Sequence, residues 1–186
     1  MPTKTVSLPK HGVTSLLLSQ DEVDLFLDYL VETDAEPARI HSQGEKTEKK
    51  VIRDAEIRFI DQKEERLYRI LNKVAMSANK YFKYDITGIE KAQIITYKAP
   101  SNGYEYHMDI GPEGTAATRK ISMSLLLNDD FEGGEICFRN SEYERCTLPE
   151  IGEAVIFSSF LPHKVKPITK GERFVVVAWF TGPPFR

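Results

Sequence analysis

His107 and Asp109, separated by Met108 and followed further along the chain by His163 and Arg173, are the residues of this chain best able to do chemistry together. On an extended strand, residues two apart share a face, so His107 and Asp109 converge while Met108 turns away. A second strand carrying His163 completes a set of two imidazoles and one carboxylate. That set covers one face of an octahedral ion and leaves the opposite face open, the ligand pattern of non-haem Fe(II) sites. Arg173 adds a fixed cation able to grip the far carboxylate of a dicarboxylic co-substrate through two parallel hydrogen bonds. Its alternation with Val175, Val177 and Trp179 aims it into the interior, where an arginine requires an anionic partner.

The elements that must position these residues follow from periodicity. Ser19-Gln20-Asp21-Glu22 has capping-box form, and Val23, Phe26, Leu27 and Leu30 follow at helical spacing. Asp61 with Glu64 opens a longer helix whose stripe is Leu67, Ile70, Leu71, Val74, Ala78, Tyr81 and Phe82. Both stripes read as buttresses against a sheet. From Gly88 onward the pattern changes to short β-rich runs. Strands are expected near Lys91 to Lys98, Tyr104 to Ile110, Lys120 to Leu127, Glu135 to Arg139, Ala154 to Phe157, His163 to Val165 and Arg173 to Phe180. Turn residues punctuate them at Pro100 to Gly103, Asn128 to Asp130, Gly133-Gly134, Gly152 and Lys170-Gly171. Many short strands at such spacing imply a sandwich or small barrel. The last run, RFVVVAWF, is apolar on both faces and belongs inside, with layers on either side.

Composition bounds the class. A chain of 186 residues is near the length of one domain and at that size buries roughly 70% of its unfolded surface. The expectation is one domain over 1–186, with helical support about 1–86 and a β core about 87–186. Only Cys137 and Cys146 are present, close in sequence around a turn, and the better reading is two reduced, partly buried thiols. The start MPTKTVSLPKHG has no apolar core of signal-peptide length, and no run approaches the 18 apolar residues or so of a membrane span, so a cytoplasmic location is the default. Net charge is −3 with a pI near 5.9 and basic residues are interspersed with acidic ones, which gives no footprint for nucleic acid.

With these pieces in place a family can be named. The stretch from Tyr97 to Phe180 resembles the iron(II)- and 2-oxoglutarate-dependent dioxygenases, in the prolyl 4-hydroxylase-like branch. The matching pieces, in order, are ITY before the motif, HMD, RKISMSLLLNDDFEGGEICF, LPEIGEAVIFSS, LPHKVKPITKGER and VVVAWF. The Ile52 to Ala55 segment, leading into a short strand before the long helix, is a weaker similarity. The resemblance implies an α+β, mostly β fold: a double-stranded β-helix, or jelly roll, braced by N-terminal helices. It implies Fe(II) on His107, Asp109 and His163, with 2-oxoglutarate and O2 as co-substrates and ascorbate as an optional reductant. Arg173 would hold the distal carboxylate of 2-oxoglutarate, with the Tyr97 hydroxyl as second donor. The reaction implied is hydroxylation of an unactivated C–H bond, with succinate and CO2 as co-products and no further catalytic acid or base.

Other residues are read more plainly. Gly133 and Gly134 serve a turn. Arg119 and Ser122 fall where they could line the mouth, although a strand-start arginine is commonly just solvated. Trp179, the sole tryptophan, packs beside the co-substrate or fills core. Asn128-Asp129-Asp130 lacks the remaining ligands of a calcium loop, and His11 and His41 read as ordinary surface residues. The polar stretch Ala35 to Lys50 is a solvated loop or a flap that closes over an extended peptide. The resemblance to prolyl hydroxylases, taken with this stretch, implies as substrate a peptidyl proline or another residue in an extended peptide or protein. The alternatives are a free amino acid or small metabolite, or a cupin-like binding module without turnover. A nucleic-acid demethylase is disfavoured, because no R-x-N-x-x-x-R pattern follows Arg173. Nothing in the sequence speaks to oligomeric state.

Overall fold

The structure, a computed structural model, describes residues 13–34, 36–37, 55–140 and 143–185. It opens with strand β1 (Val13–Leu17), helix α1 (Gln20–Glu32), strands β2 (Glu36–Pro37) and β3 (Glu56–Phe59) and helix α2 (Glu65–Phe82). Strands β4 (Gly88–Ile89), β5 (Gln93–Lys98) and β6 (Tyr104–His107) follow, then a 3-10 turn at Gly114–Thr118. The remaining strands are β7 (Arg119–Leu126), β8 (Phe131–Gly133), β9 (Ile136–Asn140), β10 (Tyr143–Thr147), β11 (Glu153–Ser158), β12 (His163–Val165) and β13 (Ile168–Thr181). They form a jelly roll of two antiparallel sheets. The larger runs β1-β11-β7-β13-β5-β3-β2, with β4 and β8 also paired to β13, and the smaller runs β10-β9-β12-β6.

The helices brace the larger sheet from outside. Ser19 and Glu22 form the reciprocal capping box, each side chain accepting from the other's backbone N–H. Val23, Phe26 and Leu30 of α1 are buried, as are Leu67, Ile70, Leu71, Val74 and Ala78 of α2. They pack on Ile94, Leu125, Ile156, Val176, Ala178 and Phe180 from the sheet's outer face. Each such side chain contributes about 1.5–3 kcal/mol by leaving water. As its two-sided apolarity requires, β13 lies mid-sheet between β7 and β5. Its other face meets a second cluster of Ile95, Tyr97, Ile168 and Val175 between the layers.

Several expectations are corrected. Helix α2 begins at Glu65, because the Asp61 carboxylate accepts from the Lys63 N–H in a local turn and no side chain caps the helix. Tyr81 is 50% exposed and falls outside the stripe, while Phe82 packs against the core; the helix stops at Lys83, which takes the left-handed conformation with φ 59°. Strand β6 ends at His107 and not at Ile110. Strand β13 starts at Ile168 and runs through Lys170-Gly171, where Gly171 at φ +70° lets the strand pass the Asp130 carbonyl, against which any Cβ would clash. Cys137 and Cys146 are joined in a disulfide and are not free thiols, since β9 and β10 form a hairpin that sets them directly opposite one another. His11, His41, Ile52 to Asp54 and almost all of the Ala35 to Lys50 loop lie outside the described residues. No described helix is long and apolar enough to cross a membrane.

Candidate functional site

The small sheet brings the two histidines together. His107 on β6 and His163 on β12 are directly opposed residues of neighbouring antiparallel strands. Each imidazole Nδ1 lies against the backbone carbonyl two residues before it, Glu105 at 2.8 Å and Leu161 at 2.9 Å. A carbonyl only accepts, so each Nδ1 carries a hydrogen and Nε2 is the nitrogen left to meet a metal. Both Nε2 atoms face the Asp109 carboxylate, at 3.5 Å from His107 and 3.6 Å from His163. Ligand atoms of the three residues lie within 4.8 Å of one another. Two imidazole nitrogens and a carboxylate converging on one point are a donor set that fits a divalent metal.

Protonation agrees with that fit. Burial pushes the Asp109 carboxyl up, but His107, His163 and the Ser122 hydroxyl outweigh it and hold the group well below the usual carboxylate range. Burial pushes the His163 imidazole down, against the pull of Asp109, and favours its neutral form. Aromatic rings fix the imidazoles in place: Tyr104 stacks 3.7 Å from His107, and Phe157 meets His163 edge-on at 4.6 Å.

Asp109 lies past the end of β6, so strand pairing does not hold it. Met108 turns out to solvent, 54% exposed, while Asp109 is buried. The Asp109 N–H donates to the Ser159 carbonyl at 3.0 Å, and its own carbonyl accepts from Arg119 Nη1 at 3.1 Å. Arg119 is therefore no solvated strand-start cation. It forms a two-point ion pair with Glu90 at 2.7 Å and 2.7 Å and stacks 4.1 Å over the Trp179 ring. Sequence reasoning missed Glu90 altogether, because a lone acidic residue ahead of a strand carries no local signal. Ser122 is buried and hydrogen-bonds to Ser159 at 3.0 Å.

Arg173 lies opposite Tyr97 across β13 and β5 and has no exposed surface. Among the described residues, none of its guanidinium nitrogens has a hydrogen-bond partner. Burial pushes the group down to about 10, with Tyr97 opposing. Its packing is built in: Gly134, at φ +72°, passes so close that an added Cβ would stand 2.7 Å from Arg173 Cδ. Gly134 is thus more than a turn residue. Asn128 bonds to the backbone on both sides of Arg173, donating to the Glu172 carbonyl and accepting from the Phe174 N–H, which is its structural role in place of calcium.

A cavity of about 230 Å³ joins these groups, with His107, Asp109 and His163 on its wall together with Tyr97, Arg119 and Trp179. It stops short of Arg173, whose guanidinium carbon stands 5.8 Å from the Tyr97 ring centre. The Trp179 indole N–H is a second buried donor without a partner among the described residues.

Comparison with known proteins gives this geometry a context. Residues 92–181 match the family model of the 2OG-Fe(II) oxygenase superfamily. Human prolyl 3-hydroxylase 2 is 44% identical over 71 residues, covering 36% of this chain and 10% of that protein. A PKHD-type hydroxylase of Alteromonas mediterranea is 30% identical over 86 residues, covering 42% of this chain and 38% of that protein. The chain thus spans well under two thirds of these relatives. Among solved structures, a Pseudomonas putida prolyl-4-hydroxylase superposes with TM-score 0.76 at 20% identity, covering 95% of each chain. A Trichoplax adhaerens prolyl hydroxylase in complex with a hypoxia inducible factor peptide fragment does so with TM-score 0.72 at 20% identity, covering 94% of this chain and 85% of that one. At such identity the likeness carries the double-stranded β-helix fold alone.

Proposed function

From the match of residues 92–181 to the family model of the 2OG-Fe(II) oxygenase superfamily, we propose that this chain is an Fe(II)- and 2-oxoglutarate-dependent dioxygenase that hydroxylates an unactivated C–H bond, with peptidyl proline as the substrate class and 1–186 as one domain. The observation that supports this best is Arg173. A fully buried cation with no hydrogen-bond partner among the described residues costs several kcal/mol, and a fold keeps one only where an anion arrives to meet it. A dicarboxylate bound at the neighbouring histidine and aspartate cluster brings such an anion.

His107 and His163 would hold iron through Nε2 and Asp109 through its carboxylate, ligands that bind metal in their deprotonated forms. Bound there, iron with 2-oxoglutarate and O2 supplies the oxidative decarboxylation that releases succinate and CO2 and places one oxygen atom on the substrate carbon. The protein's work is positioning. Arg173 would take the distal carboxylate with two parallel N–H donors, and Tyr97, paired with it across β13 and β5, would be the second donor. Phe157, Met123 and Val177 make the cavity wall apolar and keep it dry, which strengthens the charge pairing inside. The peptide reading draws on the prolyl hydroxylases among the relatives, one of them seen with a bound peptide fragment.

Succinate release tests the proposal. The chain with Fe(II), 2-oxoglutarate and a proline-containing peptide should form succinate in step with hydroxyproline, and Ala at His107, Asp109 or His163 should abolish both. Full turnover in any one of those variants overturns the ligand assignment. Stimulation by a free amino acid but by no peptide overturns the substrate class and leaves the hydroxylase reading standing.

A further inference from the structure

We propose that Glu90, acting through Arg119, is a positioning residue for Asp109, the one member of the ligand set that no strand pairing holds. The inference rests on the metal reading above. His107 and His163 are fixed by the pairing of β6 with β12, but Asp109 follows a strand that has ended, and its backbone is held by Ser159 and Arg119. The Asp109 and Ile110 N–H groups both donate to the one Ser159 carbonyl, at 3.0 and 3.1 Å, and the Asp109 carbonyl accepts from Arg119 Nη1 at 3.1 Å. Without Arg119 the Asp109 carbonyl has lost its own anchor and the backbone can turn about the single Ser159 carbonyl, carrying the carboxylate with it.

Arg119 can serve as an anchor only if its own long side chain is held. Glu90 does this through two ion-pair contacts, Nε to Oε1 and Nη2 to Oε2, which fix the plane of the guanidinium as well as its position. Glu90 is itself tied down, since its backbone N–H donates to the Trp179 carbonyl at 2.9 Å, and the Trp179 ring closes the stack on the guanidinium from the side. The order of support is therefore Glu90, Arg119, Asp109 carbonyl. Charge works in the same direction. Arg119 borders the cavity that holds the ligand set, and a guanidinium stripped of Glu90 would place an unbalanced cation beside a site that must accept a divalent one. Groups that orient metal ligands in this way typically carry a factor of about 10–100 in metal affinity.

Metal affinity of the purified chain, measured without turnover, separates this role from a structural one. Free Mn(II) is followed by electron paramagnetic resonance during titration of the wild type, Glu90→Gln, Arg119→Lys and the double variant, with His163→Ala as control. Glu90→Gln keeps the shape but loses the charge, and Arg119→Lys keeps the charge but loses the planar fork. Each should weaken Mn(II) binding about tenfold or more, and the double variant should be little worse than either, because both break one unit. The melting temperature of the metal-free protein should stay within a few degrees of wild type. Emission from Trp179, the only tryptophan in the chain, should shift in all of them as the stacked guanidinium loosens. Unchanged Mn(II) affinity in Glu90→Gln or Arg119→Lys overturns the proposal, as does an affinity loss no larger than the loss of folded protein. If the wild type binds Mn(II) no better than His163→Ala, the metal reading itself falls and the clamp falls with it.

Discussion

Arg173 sets the terms at the scale of single residues, because its cost and its use are separable. Burial depresses its folded-state value to about 10, below that of the unfolded chain, so the favourable contribution exists only above the unfolded value and is lost as pH falls through the folded one. At neutral pH the ligand-free protein therefore carries the full penalty, constant across pH 6 to 9. Replacing the cation by an apolar side chain of similar reach removes it. Arg173→Leu should be more stable than wild type without ligand, by about 1 kcal/mol or more, in urea denaturation at any pH from 6 to 9. The same variant should need at least about tenfold more 2-oxoglutarate, since a lost charge-assisted pair costs on the order of 2 kcal/mol. A variant less stable than wild type would mean that Arg173 has a structural partner. Gly134 belongs to the same argument, because a side chain there would press on the arginine stem.

Among the elements, the β9–β10 hairpin makes a prediction of its own. The Cys137–Cys146 bridge spans a sequence separation of 9, and closing a loop of that size stabilises by about 2–3 kcal/mol on the chain-entropy account. Adding a reductant should lower the unfolding free energy by that amount; no change, with two thiols titrating in the native oxidised protein, would show the bridge absent. The second strand of this hairpin was invisible in the sequence because Tyr143, Glu144 and Arg145 all face solvent and leave no apolar alternation to read. Elements with one buried face were legible: the capping box of α1, the stripe of α2 apart from Tyr81, and the alternation that turns Arg173 inward. The convergence of His107, Asp109 and His163 was legible from their types and spacing, although β6 ends at His107 and Asp109 is brought round by its contacts with Ser159 and Arg119. What escaped depends on contacts between distant segments. Nothing near Arg119 announces Glu90, and nothing in the FEGGE turn announces that Gly134 must clear an arginine on β13.

On the scale of the whole molecule, helices stiffen one sheet from outside so that the inner faces can hold polar groups that no core would tolerate alone. The capped helix α1 is tied to α2 by the Glu22–Lys73 ion pair at 2.9 Å, and both rest on strands that carry cavity residues on their opposite faces. Ser122 and Ser124 point inward between Ile121, Met123 and Leu125, and the sheet thereby separates a dry buttress from a charged pocket. The central claim is that this pocket binds a metal and a dicarboxylate at once, each through its own residues. Anaerobic titration of the Fe(II)-loaded chain with 2-oxoglutarate, followed by the visible charge-transfer absorption of the chelate, tests both halves together. A saturable band is expected in the wild type, displaced to at least about tenfold higher 2-oxoglutarate in Arg173→Leu and absent in His163→Ala. No band in the wild type, or equal affinities in wild type and Arg173→Leu, would contradict the account.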